Sequence, residues 1–197
     1  MPGGPCFRLS VVHRNFLPWL GAAALAASAF ADYSVRVYVL GGIMLFFPLT
    51  DPFWKPPALL QSRRHTLAWG AIALPAAALL AWQPTYTGYT AAMVLTAALP
   101  EEWFFRAYFM TRMGNGWRAN VLTSLLFGFM HGLTWGWMAA VLVFVPSLFY
   151  GWLYQRTGDI ALLVLVHGLS NLVFTMFLTH PVNSWLGLHS PSYAMTL

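Results

Sequence analysis

Met93–Met110 reads MVLTAALPEEWFFRAYFM, and the fold turns on how this stretch is read. It is apolar enough to cross a bilayer, yet it carries Glu101, Glu102 and Arg106. The chain has five acidic residues in 197, and two of them stand side by side here. A charge near the bilayer centre costs about 2.5–3.5 kcal/mol on insertion scales, so such residues ordinarily have a partner and a task. One partner lies in the same helix. Glu102 and Arg106 are spaced i,i+4, which brings them together on one face as an ion pair. Successive residues of an α-helix point about 100° apart, so Glu101 is turned away from that face, toward a neighbouring helix. Pro100 has no N–H to give the Thr96 carbonyl, which predicts a kink just ahead of the pair.

The rest of the chain is of the same kind. It is 59% hydrophobic and 8% charged, with mean hydropathy +0.63. Soluble domains carry about 25% charged residues. The expected fold is all-α: a polytopic membrane helix bundle of about seven transmembrane helices. The apolar segments are 16–31, 35–50, 66–82, 88–110, 118–134, 137–155 and 159–178. The first follows Arg8 and Arg14 and resembles a signal peptide, but with so many spans after it we read it as retained. Pro52, Pro56 and Pro57 break the longest connection, 51–65.

Charge orients the bundle. With the N-terminus cytoplasmic, the inner side holds Arg8, Arg14, Lys55, Arg63, Arg64, Arg112, Arg118 and Arg156. The outer side holds only Arg36, a strong positive-inside bias. The net charge of +5 is thus spread along topology signals, and no nucleic-acid partner is expected; the lipid bilayer is. Cys6 is the only cysteine, which excludes an intrachain disulfide or a thiolate metal cluster. Most tryptophans fall at span ends as an interfacial belt, whereas Trp103 sits deep, beside the glutamates.

Two later helices carry polar groups at similar depth. His131 closes Phe127-Gly128-Phe129-Met130-His131, with Gly128 and Gly132 permitting close helix approach. His167 and Asn171 form a second i,i+4 pair, projecting from one face. An imidazole and an amide presented together can donate hydrogen bonds to a developing oxyanion, or simply glue helices together. At 1.5 Å per residue, Glu101, His131 and His167 lie roughly 12–20 Å from the inner ends of their helices. They are expected to converge on one cavity, open toward the cytoplasmic side.

Glu101-Glu102-x3-Arg106, Phe127-x3-His131 and His167-x3-Asn171, in that order on apolar helices, resemble the signature of the CPBP family. These are the CAAX/Abi-type glutamic intramembrane proteases, which include the type II CAAX prenyl endopeptidases. Phe149-Tyr150-Gly151-Trp152-Leu153-Tyr154 followed by Thr157-Gly158 is similar to another block of that family. The resemblance covers about Gly88–Leu178 and divides the chain into N-terminal helices of unassigned role (1–87), a catalytic helix core (88–178) and a short tail (179–197).

The resemblance implies peptide-bond hydrolysis within the membrane. Glu101 would activate a water, aided by His131, with His167 and Asn171 stabilising the oxyanion and Glu102 and Arg106 supporting the site. It implies no cofactor, with zinc on Glu101, His131 and His167 as the alternative. The implied partner is a protein or peptide with a membrane-associated C-terminal segment, such as a sorting signal or bacteriocin-type precursor, processed in a prokaryotic plasma membrane. A non-enzymatic immunity or scaffold protein that keeps the motif as an ion-pair core is the rival, and a proton-relaying transporter a third reading.

Overall fold

The computed structural model describes residues 6–57 and 65–179, with side chains from residue 16 onward. Arg63, Arg64 and the tail beyond residue 179 therefore lie outside the described residues, as do the side chains of Arg8 and Arg14. Among the described residues there are seven helical segments and no strand. They are α1 (Cys6–Ser28), α2 (Tyr33–Phe46, continued by a 3₁₀ turn Phe47–Thr50) and α3 (Thr66–Trp82). The fourth, α4, begins at Thr87 and ends at Met110. Then come α5 (Trp117–Trp135), α6 (Trp137–Thr157) and α7 (Ile160–Val173, continued by a π-helical turn Phe174–Leu178).

The chain is a multi-pass helical membrane bundle. Seven crossings were expected, but fewer helices meet the length and composition of a span on their own. Three do: Tyr33–Thr50, Trp137–Thr157 and Ile160–Leu178. Thr66–Trp82 and Pro84–Met110 pass together but are bent by 115°, so they form one broken span or a re-entrant pair. The shortfall has a physical cause. The helix α3 has 17 residues, and α5 gives up apolar positions to Arg118, Asn120, Thr123, Ser124 and His131. Outward-facing side chains agree with a lipid surround: on α6, Val141 and Val145 are 68% and 69% exposed.

The central helix is α4. Every residue from Phe104 to Met110 is buried. Pro100 was expected to kink a regular α-helix; instead α4 alternates between α and π geometry. Thr87–Met93 and Leu99–Glu101 are α-helical, Val94–Ala98 and Glu102–Met110 π-helical. A missing N–H at Pro100 loosens the ladder on either side, and i→i+5 bonds take up the slack.

Around α4 the other helices alternate in direction. The rings of Trp82 and Phe177 stack at the same end of α3 and α7, and Trp69 Nε1 donates to Asp159 at the other, so these helices run parallel. By contrast, α4 runs antiparallel to α7, with Tyr89 bonded to Thr175 and Gly168 packed against Val94. The pair α5 and α6 forms a hairpin about Gly136, whose φ of 93° suits glycine. A Cβ at Gly151 would overlap the Asn120 side chain, which donates from Nδ2 to the Leu148 carbonyl; close approach here requires glycine.

Two buried aspartates hold the ends. Asp51 accepts from Tyr108 Oη (3.1 Å), Arg112 Nε (2.7 Å) and its own loop's Phe53 N–H (2.9 Å). The same loop sends Trp54 under α4, where its indole N–H donates to the Ala107 carbonyl at 2.7 Å. Asp159 caps α7 by accepting from Leu162 N–H (3.0 Å), and it also pairs with His65 (3.2 Å). Asp159→Ala removes the cap and strands the Trp69 donor, so it is expected to cost at least about 1–2 kcal/mol. Asp159→Asn retains a capping oxygen and should lose less. Equal thermal unfolding of Asp159→Ala and wild type in detergent would contradict this.

Candidate active site

Arg106 and Glu102 are both fully buried, and Arg106 Nη1 donates to Glu102 Oε1 at 3.2 Å. The guanidinium is enclosed on all sides. Its Nη2 donates to Ser147 Oγ (2.7 Å) and the Ser147 carbonyl (3.2 Å) on α6. Its carbon lies 4.7 Å from the Phe127 ring centroid and 5.6 Å from that of Tyr150. Cation–π contacts of this kind strengthen once desolvated, to about 2 kcal/mol. The pair therefore ties α4 to both α5 and α6.

Glu102 has a second duty that its spacing does not announce. Its Oε1 also accepts from His167 Nδ1 at 2.7 Å, within the charge-assisted range of about 2.7–2.9 Å. With Nδ1 committed there, His167 turns Nε2 toward Glu101, 3.7 Å from Oε2. Tyr150 stacks on the same imidazole at 5.0 Å, which fixes the ring plane. The two glutamates are thus bridged by one histidine, in the sense that a buried carboxylate orients a working imidazole. Glu102 Oε2, also buried, has no hydrogen-bond partner among the described residues.

Glu101 is the more open of the two, its side chain 16% exposed against 0% for Glu102. It borders a half-open cavity of about 380 Å³ that His131 also lines. His131 Nδ1 lies 3.0 Å from the Phe127 carbonyl one turn back. Donation from Nδ1 leaves Nε2 with a lone pair. The Phe127 ring sits 4.4 Å from the His131 ring and 6.4 Å from that of His167, so one aromatic residue joins the two histidines and the guanidinium.

The expectation of one cavity shared by all four residues needs revision. Glu101 and His131 line it; His167 meets Glu101 by its ring nitrogen and is not part of the lining. Asn171 is half-buried one turn beyond His167, and its side chain makes no hydrogen bond among the described residues. The direction differs too. Thr134 and Trp135 line the cavity from the end of α5 remote from Arg118, so it reaches toward the side that charge assigns as outer. Trp103 faces away from the cavity chemistry: it packs edge-on against Trp54 at 5.1 Å, and its indole donates to the Leu45 carbonyl. No three His, Cys, Asp or Glu side chains among the described residues are grouped to hold a metal ion, so Glu101, His131 and His167 do not fit zinc as they stand.

With this geometry in place, comparison with known proteins is informative. Residues 83–173 match the family model for type II CAAX prenyl endopeptidase Rce1-like proteins. This segment is Rce1-like. It contains Glu101, Glu102, Arg106, His131, His167 and Asn171, and it stops short of α1, α2 and α3. The UPF0177 protein YbdI of Lactococcus lactis is 36% identical over 97 residues, which span 48% of this chain and 50% of that protein. The chain thus matches about half the length of this curated relative. No solved structure matches it.

Proposed function

We propose that the protein is an intramembrane endopeptidase that hydrolyses a peptide bond through a water activated by Glu101. The observation that carries this is the pairing of a half-exposed acid with a neighbouring imidazole at one cavity, backed by a buried Glu102–His167 contact of 2.7 Å. The Rce1-like match over the same helices supports it.

In this reading Glu101 takes a proton from a water while the water oxygen attacks the scissile carbonyl carbon. His131, with Nε2 free to accept, helps hold that water. The carbonyl oxygen becomes an oxyanion, for which Asn171 has an uncommitted amide. His167 serves Glu101 first: with Nδ1 bound to Glu102, it can donate from Nε2 only as the imidazolium. When the tetrahedral species collapses, Glu101 returns its proton to the departing amine. General-base assistance of this kind is worth about 10²–10⁴-fold in rate.

The substrate we propose is a protein or peptide with a membrane-associated C-terminal segment, of the sorting-signal or bacteriocin-precursor type. The bacterial relative favours a prokaryotic plasma membrane. The test is co-expression with candidate neighbours, comparing their C-termini by mass spectrometry against Glu101→Ala. New C-termini that require Glu101 are expected; identical termini in both cultures point to the scaffold or immunity reading. Prolonged chelation should leave cleavage unchanged. Activity lost on chelation and restored by zinc alone, with stoichiometric zinc by elemental analysis, would replace this mechanism with a zinc-dependent one.

A further inference from the structure

The cavity beside Glu101 is built from two sources. Glu101 and Phe105 come from α4 and Met130, His131, Thr134 and Trp135 from α5, all inside the Rce1-like segment. The facing wall comes from Leu25 of α1 and from Leu40 and Met44 of α2, outside that segment. The two walls differ chemically. All the polar groups belong to the first; the second is wholly aliphatic or thioether. Leu25 and Met44 are 1% and 6% exposed and form its fixed part, whereas Leu40 is only half-buried.

Resting on the endopeptidase reading, we propose that the N-terminal helices select the substrate. The α1/α2 wall holds an apolar side chain of a residue bordering the scissile bond, and Leu40 sets its size limit. The reasoning is one of chemistry and volume. A peptide bond presented to Glu101 and His131 has its polar atoms served by the α4/α5 wall. What projects the other way meets a surface with no donor or acceptor, where a polar side chain would lose its hydrogen bonds to water. At about 380 Å³ the space lies at the small end of ligand sites, which run about 300–1,000 Å³. It admits an extended backbone with one large side chain, and excludes a folded or helical segment. Specificity of this kind is graded, because one methylene in an apolar pocket is worth about 10–200-fold.

The test uses proteoliposomes holding the full chain and a library of membrane-spanning peptides randomised across the spanning segment. Cleavage sites are mapped by mass spectrometry, with Glu101→Gln as blank. Wild type should favour apolar residues such as Leu, Met or Phe at one position beside the cut. Leu40→Trp should shift that preference about tenfold or more toward Gly and Ala. Leu40→Ala, which only removes atoms from a half-buried site, should shift it toward Phe and Trp. Glu101-dependent cleavage with the same profile in wild type and Leu40→Ala overturns the inference and leaves the endopeptidase reading intact. Absence of any Glu101-dependent cleavage by wild type removes the endopeptidase reading and the inference with it.

Discussion

Glu101→Gln is expected to lower cleavage by at least about 10²-fold, and to the uncatalysed level if Glu101 is the sole base. Gln keeps the length and the capacity to hydrogen-bond, but it cannot take a proton from water. The substitution falls on the more open of the two glutamates, 16% exposed, and leaves the Glu102–Arg106 and Glu102–His167 contacts in place. Its thermal unfolding should therefore match wild type. Full turnover by purified, folded Glu101→Gln would overturn the assignment. Loss of activity accompanied by unfolding would instead reassign Glu101 to a supporting role.

Glu102→Ala and Arg106→Ala carry the second large effect, and it falls on stability. Each leaves a fully buried charge without its partner, which typically costs about 3–5 kcal/mol. The losses extend beyond the pair. Arg106→Ala also abandons both hydrogen bonds to Ser147 and the packing between Phe127 and Tyr150. Glu102→Ala frees His167 Nδ1 and so disturbs Glu101 as well. The double variant removes both charges at once and should be milder than the sum of the singles, since contacting residues couple by about 0.5–3 kcal/mol. Strict additivity in detergent melts would argue that the two side chains act independently.

Much of the fold is legible in the residues themselves, because helix and lipid impose local rules. Apolar runs bounded by Gly, Pro and charge mark seven helices, and i,i+4 spacing pairs Glu102 with Arg106 before any tertiary contact is known. The site is less legible, because its decisive contacts join distant positions. Glu102 meets His167 across 65 residues, and no periodicity encodes that meeting. Reading His167 and Asn171 as an equal pair missed it. Asp51 and Trp54, in a proline-rich connection that looks like a spacer, anchor α4 from beneath through Tyr108, Arg112 and the Ala107 carbonyl. Their signal was an acid and an indole in a chain with few acids, next to a helix in need of partners. The cavity wall from α1 and α2 left no mark beyond ordinary hydrophobicity, since Leu25, Leu40 and Met44 do their work by shape.

The alternation of winding along α4 carries a consequence for how this chain can diverge. Glu101 closes a three-residue α turn, Leu99–Glu101, set between two π-helical stretches. A π turn holds one residue more than the α turn it replaces. Deleting a residue upstream of Glu101, in 94–98, would let the chain rewind as plain α-helix and swing all that follows by about 100°. Glu101 would leave the cavity and Glu102 would leave His167, although every side chain named here was still present. The helix is therefore free to vary in composition at its lipid-facing positions but not in length. Among descendants of this sequence, insertions and deletions should gather in the connections and spare 94–110.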